Sequence, residues 1–164
     1  MEYQHIHHTF KPIYNEGSKI LILGSFPSVK SREAEFFYGH PQNRFWKVLA
    51  AVFNESVPTS VDEKKKLLLK NRIAVWDVIH SCEIVGSSDS SISNVAVNDI
   101  SMILNQSNVD KIFVNGKKAF ELYNKYIKPN IEIEAVCLPS TSPANAAYKL
   151  DRLIDEWSVI NEQA

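Results

Sequence analysis

Cysteine is scarce in this chain and unsuited by its spacing to bind metal. Only two of the 164 residues are cysteines, Cys82 and Cys137, and neither belongs to a Cys-x-x-Cys pair. That spacing argues against a zinc or iron–sulfur centre built on thiolates and predicts two reduced, buried thiols rather than a disulfide scaffold. Long apolar runs are missing too. No stretch approaches the roughly 20 residues needed to span a bilayer, and the polar start Met1-Glu2-Tyr3-Gln4-His5 lacks the layout of a signal peptide. A soluble, cytoplasmic protein without membrane attachment is expected. An excess of positive charge is also absent. A net charge of −1 argues against a protein that coats nucleic acid through bulk electrostatics. It leaves room for a local basic face, and Lys30, Arg32, Arg44 and Lys47 lie close together in sequence, with Lys149 and Arg152 near the carboxyl end. There is no internal repeat.

A chain of 164 residues, 45% of them hydrophobic, can bury one good core but not two, so residues 1–164 are expected to form a single domain. Short runs rich in Ile and Val predict strands over 19–24, 73–77, 111–115 and 133–138. Helical patterns fall between them. Asn43 can cap a helix carrying Phe45, Leu49, Val52 and Phe53 at helical spacing. Ser60 and Glu63 form a capping-box pattern ahead of Lys64 to Lys70, and Asn71 supplies a stop. Further helices are predicted after Asp99, from Lys117 to about Ile127, where Pro129 should stop the helix, and from Asn145 through Trp157. Gly86 to Ser93 is Ser-rich and reads as a surface loop. Alternating strands and helices predict an α/β fold, a three-layer αβα sandwich around a four-stranded parallel sheet.

In such a sheet every strand points the same way, so the loops after Leu23, Val75 and Leu138 should meet at one carboxyl edge. The first is Gly24-Ser25-Phe26-Pro27-Ser28, the second begins at Trp76-Asp77, and the third is Pro139-Ser140-Thr141-Ser142-Pro143-Ala144-Asn145. Small hydroxyl residues between prolines make either an ordinary turn or a stiff loop that offers N–H groups to an oxyanion. Tyr38, beside Gly39, is either a core aromatic or a platform for a nucleobase, a contact worth roughly 1–3 kcal/mol. His40 is either a general base or, as His-Pro loop histidines more often are, a group that pins a turn. His5, His7 and His8 invite a metal assignment, but no acidic or sulfur partner lies near them, and a packed or frayed segment is the simpler reading.

The string GSFPSVKSREAEFFYGHPQNRFWKVL, from Gly24 to Leu49, resembles the first motif of the uracil-DNA glycosylase superfamily, most closely its hypoxanthine-DNA (deoxyinosine) glycosylase branch. LPSTSPAN, from Leu138 to Asn145, resembles the second motif, and Trp76-Asp77-Val78 fits the middle of the family. The resemblance implies hydrolytic removal of a deaminated base from double-stranded DNA, with no metal and no cofactor, after the nucleotide is flipped into a pocket. A monomer is the default expectation, acting in the cytoplasm, at the nucleoid in a bacterium. By the same resemblance Tyr38 would stack on the base, Asp77 would read its edge, and Ser25 and Phe26 would line it. Ser28, Ser140 and Ser142 would grip flanking phosphates, with Lys30, Arg32 and Arg44 beside them, while Ala144 and Asn145 would lie against the duplex.

Phe26 occupies a position where most of the superfamily has an Asp or Asn that handles water, and phenylalanine can do neither job. The hypoxanthine branch is similar in lacking that group and puts a catalytic amide at the position of Asn43. An amide is too weak a base to deprotonate water, so its implied role is orientation. The second motif also lacks a histidine that would stabilise a departing uracil anion. Two rivals remain: a mismatch-type glycosylase acting on uracil, thymine or xanthine, and an idle α/β module that binds nucleotides or damaged DNA without cutting. A cofactor-dependent, flavodoxin-like enzyme is a more distant third.

Overall fold

The computed structural model describes residues 2–8 and 10–163. Its centre is a parallel sheet of β2 (Ile20–Gly24), β3 (Ile73–Asp77), β6 (Lys111–Asn115) and β7 (Ala135–Leu138), in the spatial order β3-β2-β6-β7. Every residue of β2 and β3 is buried, which is why both read as continuous apolar runs rather than alternating ones. Helices flank this sheet. They are α1 (Val29–Ala34), α2 (Phe45–Val52), α3 (Val61–Lys70), α4 (Ser101–Gln106), α5 (Lys117–Leu122), α6 (Lys128–Ile131), α7 (Leu150–Trp157) and α8 (Val159–Gln163). α2 packs on α7, and Phe45 meets the buried Trp157 edge-to-face with ring centroids 5.9 Å apart.

The capping reading of α3 holds: Ser60 Oγ accepts the Glu63 N–H, and the hydroxyl donates to the Glu63 carboxylate. At α2 the N-cap position falls to Arg44, which makes no side-chain cap bond, rather than to Asn43; Asn43 stands one residue earlier and accepts the Phe45 N–H on Oδ1 at 2.9 Å. Pro129 does not stop the helix that begins at Lys117. A π-turn over Tyr123–Ile127 joins α5 to α6, and Pro129 falls in the first turn of α6, where its missing N–H costs nothing.

A second sheet escaped sequence reading. β1 (Gln4–His7), β4 (Ile79–Ile84) and β5 (Ser93–Val97) form an antiparallel sheet in the order β1-β4-β5. Only Val78 separates β3 from β4, so the chain passes from one sheet to the other without a turn signal. β1 is mostly exposed and carries no apolar alternation to reveal it. The Gly86–Ser93 segment is thus the loop of a β4–β5 hairpin. Cys82 is buried as expected, and burial pushes its thiol up to about 11. Cys137 is exposed, contrary to expectation, because β7 is the edge strand and turns Val136 and Cys137 outward. No helix among the described residues is long and apolar enough to cross a membrane.

Candidate active site

The chain leaves β2 for β3 on one side and later places β6 on the other, so strand order reverses at β2. Open α/β sheets form their ligand crevice at such a point. A cleft lies there. Of the residues singled out from sequence, Ser25, Phe26, Ser28, Tyr38, Asn43, Asp77, Ser140 and Ser142 line it. Ser87, Asp89, Asn115 and Thr141 line it as well and were not singled out. Asn115 did have a signal, an Asn-Gly pair ending a parallel strand. The hairpin loop closes the rim: Ser87 Oγ accepts the Val29 N–H at 2.8 Å, and Ser25 Oγ donates to Asp89 at 3.1 Å.

Asp77 ends β3 beside Gly24 of β2 and is buried. Its Oδ2 lies 2.8 Å from Nε2 of His8, also buried, which overturns the reading of His8 as a frayed or merely packed residue. Gly24 makes room for the other carboxylate oxygen. A Cβ there would fall 2.4 Å from Asp77 Oδ1 and 3.0 Å from the Tyr38 hydroxyl. Tyr38 adopts the left-handed conformation, φ 52°, as do five other non-glycine residues among those described. Its ring stacks on Phe45 at 3.9 Å, so one face is occupied. Its hydroxyl is buried and has no hydrogen-bond partner among the described residues. Loss of hydration, and then the charge of Asp77, raise that phenol well above its ordinary value. Phe26 gives the cleft an apolar wall under the Arg32 guanidinium, 5.6 Å above its ring.

Asn43 is oriented by a chain of hydrogen bonds whose direction is fixed at both ends. The backbone N–H of Thr141 can only donate, and it does so to Asn115 Oδ1 at 3.0 Å. That leaves Asn115 Nδ2 to donate to Thr141 Oγ1, also at 3.0 Å. The Thr141 hydroxyl proton is then directed to Asn43 Oδ1, 2.9 Å away. With the Phe45 N–H also on Oδ1, both lone pairs of that oxygen are used. The end of Asn43 left for the cleft is its NH2 group, a donor.

The basic residues divide. The Arg44 guanidinium donates to the carbonyls of Thr141, Ser142, Asn145 and Tyr148, so it clamps the 141–148 loop rather than standing free. Arg32 donates to the Gly86 carbonyl. Lys30 is exposed and pairs with Glu33 at 3.5 Å. Asn145 is tied to the Ser140 carbonyl, and Ala144 is exposed; neither lines the cleft. Ser140 and Ser142 accept the N–H groups of Ser142 and Ala144, leaving their hydroxyl protons to donate. His40 pins its turn by accepting the Gln42 N–H on Nδ1. Asp89 sits at the rim. Although much of its surface is open, the protein around its carboxyl removes hydration and raises it, opposed by the Ser25 hydroxyl and the Lys118 charge. Among the described residues no cluster of His, Cys, Asp and Glu suits a metal ion.

Residues 11–162 match the uracil DNA glycosylase superfamily. A hypoxanthine DNA glycosylase of Methanosarcina acetivorans is 35% identical over 92% of this chain and 95% of its own. One from Methanosarcina barkeri is 32% identical over 83% of this chain and 86% of its own. The solution NMR structure of a Methanosarcina acetivorans protein proposed as a uracil DNA glycosylase superposes with a TM-score of 0.80 at 33% identity, covering 94% of this chain and 96% of that one. The chain belongs to the uracil DNA glycosylase superfamily.

Proposed function

We propose that this protein removes hypoxanthine from deoxyinosine in double-stranded DNA, as a monomer in the cytoplasm, at the nucleoid in a bacterium. The observation that carries the reading is that Tyr38 and Asn43, neighbours in one segment, and Asp77, distant from both in sequence, line one cleft beneath two hydroxyl-rich loops. The relatives named hypoxanthine DNA glycosylases support the choice of base.

In the proposed reaction the deoxyinosine is extruded into the cleft. Ser140 and Ser142 hold the neighbouring phosphates through their hydroxyl protons, and Ser28, whose hydroxyl is given to Ser31, does so through its backbone N–H. Asp77 accepts a hydrogen bond from the base, and Tyr38, Ser25 and Phe26 enclose it. The C1′–N9 bond breaks with its electron pair on the purine, and a water oxygen bonds to C1′. One water proton is lost, and one proton ends on the released hypoxanthine. The Asn43 NH2 group, as a donor, holds the attacking water by one lone pair and leaves the other directed at C1′. Because no base removes a proton in advance, the sugar must carry much of the positive charge when water arrives, and the Asp77 carboxylate lies in the same cleft to offset it.

A panel of duplexes, each with one hypoxanthine, uracil, thymine mismatch or xanthine, tests this reading. Alkali-labile strand breaks should appear first and fastest with hypoxanthine. A preference for uracil would favour the mismatch-type reading, and binding with no breaks on any duplex would favour the idle module.

A further inference from the structure

The amino-terminal histidines read from sequence as a packed or frayed segment, yet one of them lies against a carboxylate that lines the cleft. His8 follows β1, which β4 holds in place. Its ring is enclosed by Phe10, Phe26 and Phe37, at centroid distances of 5.0, 6.1 and 5.9 Å. None of these rings can take a conventional hydrogen bond from the imidazole edge. The two nitrogens have opposite roles. Nδ1 accepts the backbone N–H of Phe10 at 3.1 Å, so it carries no proton. Nε2 therefore bears the N–H and donates it to Asp77 Oδ2 at 2.8 Å. The contact is a neutral donor on a carboxylate rather than an ion pair. Asp77 Oδ1 accepts no hydrogen bond among the described residues. It lies against Gly24, whose missing side chain leaves that oxygen its space.

We infer that His8 is a positioning residue that determines which hydrogen-bonding face Asp77 presents to an extruded base. It makes the cleft select bases with an N–H donor on the Watson–Crick edge. Hypoxanthine presents N1–H beside a carbonyl, and the free carboxylate oxygen accepts that proton. Adenine, its parent, presents the N1 lone pair beside an amino group, so the same oxygen meets a lone pair and repels it. His8 holds Oδ2 from behind and prevents the carboxylate from turning away. The inference rests on the proposed role of Asp77 as reader of the base edge.

The histidine makes a prediction that simple structural support would not. In Asp77→Asn, the His8 N–H forces the amide oxygen toward itself and the amide NH2 into the cleft, the wrong polarity for hypoxanthine. Excision should fall about 100-fold or more, as when a buried donor meets a donor. Replacing His8 by leucine in that background removes the constraint and lets the amide turn its oxygen to the base. The double variant His8→Leu with Asp77→Asn should then regain about tenfold over Asp77→Asn alone. In the native background His8→Leu should lose about tenfold in single-turnover excision. His8→Gln, whose terminal N–H2 reaches the place of Nε2, should keep most of it. A double variant no better than Asp77→Asn, or a glutamine variant as impaired as the leucine one at equal thermal stability, overturns the inference. A long-range 1H–15N spectrum of the whole protein tests the premise without substrate. It should show Nε2 protonated and Nδ1 bare, and the opposite tautomer or an imidazolium at neutral pH overturns it. If the deoxyinosine duplex is left intact by the native protein, the proposed function fails, while the spectrum still judges the His8–Asp77 arrangement on its own.

Discussion

Thr141 gives its hydroxyl proton to the side-chain oxygen of Asn43 across 2.9 Å, and the direction of that bond follows from Asn115, which offers the same hydroxyl only a donor. An amide side chain can usually be turned end for end at little cost. Here two backbone N–H groups, those of Thr141 and Phe45, allow one orientation.

Thr141→Val keeps the shape of the side chain but removes the hydroxyl, leaving Asn115 Nδ2 and half of Asn43 Oδ1 unpaired. It should lower single-turnover excision about tenfold with duplex affinity unchanged, an effect of about 1–3 kcal/mol, and Thr141→Ser should restore most of it. Asn115→Asp is more telling. The introduced carboxylate draws the Thr141 proton to itself and turns an oxygen lone pair toward Asn43. Protonation of that carboxylate restores a donor, so the activity of this variant relative to native protein should rise as pH falls. A flat ratio would show that bond direction at Thr141 does not matter.

Gly24→Ala forces a Cβ to within 2.4 Å of the Asp77 carboxylate unless something moves. Because β2 and β3 are paired at this point, the carboxylate gives way more easily than the strands. The expected result is a folded protein, destabilised by about 1–3 kcal/mol, that loses discrimination between deoxyinosine and deoxyadenosine. Melting temperature and excision on both substrates check it.

Arg44→Ala should act through stability. The guanidinium gathers four carbonyls of the 141–148 segment, and loss of those bonds should cost about 2–4 kcal/mol in chemical denaturation. Lysine, lacking the planar fork, should recover little of it. A normal melting temperature with weakened DNA binding would instead make Arg44 a phosphate contact.

Asp89 predicts a pH effect on binding. Its carboxyl is raised, so on acidification it loses its charge earlier than an ordinary aspartate. In the proposed complex that charge lies at the rim beside the bound strand, and its loss should tighten duplex binding as pH falls through its raised titration. The same raised value means that Asp89 favours the folded state more as pH falls and less as pH rises through it. Asp89→Asn should bind duplex about two- to fivefold tighter at neutral pH and low salt and lose that part of the pH slope. Titration by fluorescence anisotropy at several pH values reads both.

The parts of the molecule legible in the sequence are those where burial is uniform or local chemistry is unambiguous. β2 is apolar along its whole length because both faces are covered, and the Ser60–Glu63 cap is written in four residues. Ser25, Tyr38, Asn43, Asp77 and Ser142 could be grouped because each lies next to a strand end or in a motif. What was missed depends on partners distant in sequence. His8 gains meaning only from Asp77, 69 residues away, and Thr141 only from Asn115 and Asn43. Arg44 looked like a free cation because its four carbonyl partners begin 97 residues later. β1 and β5 are edge strands, mostly exposed, and their composition does not separate them from loops.

The most direct measurement is single-turnover release of hypoxanthine from a deoxyinosine duplex by the native protein and by Asn43→Ala, with duplex affinity measured in parallel. The native protein should leave an alkali-labile site, and the variant should be slower by about 100- to 1,000-fold, as when one preorganised donor is lost at a reacting centre, while binding the duplex equally well. An Asn43→Ala protein that releases the base at the native rate would contradict the account.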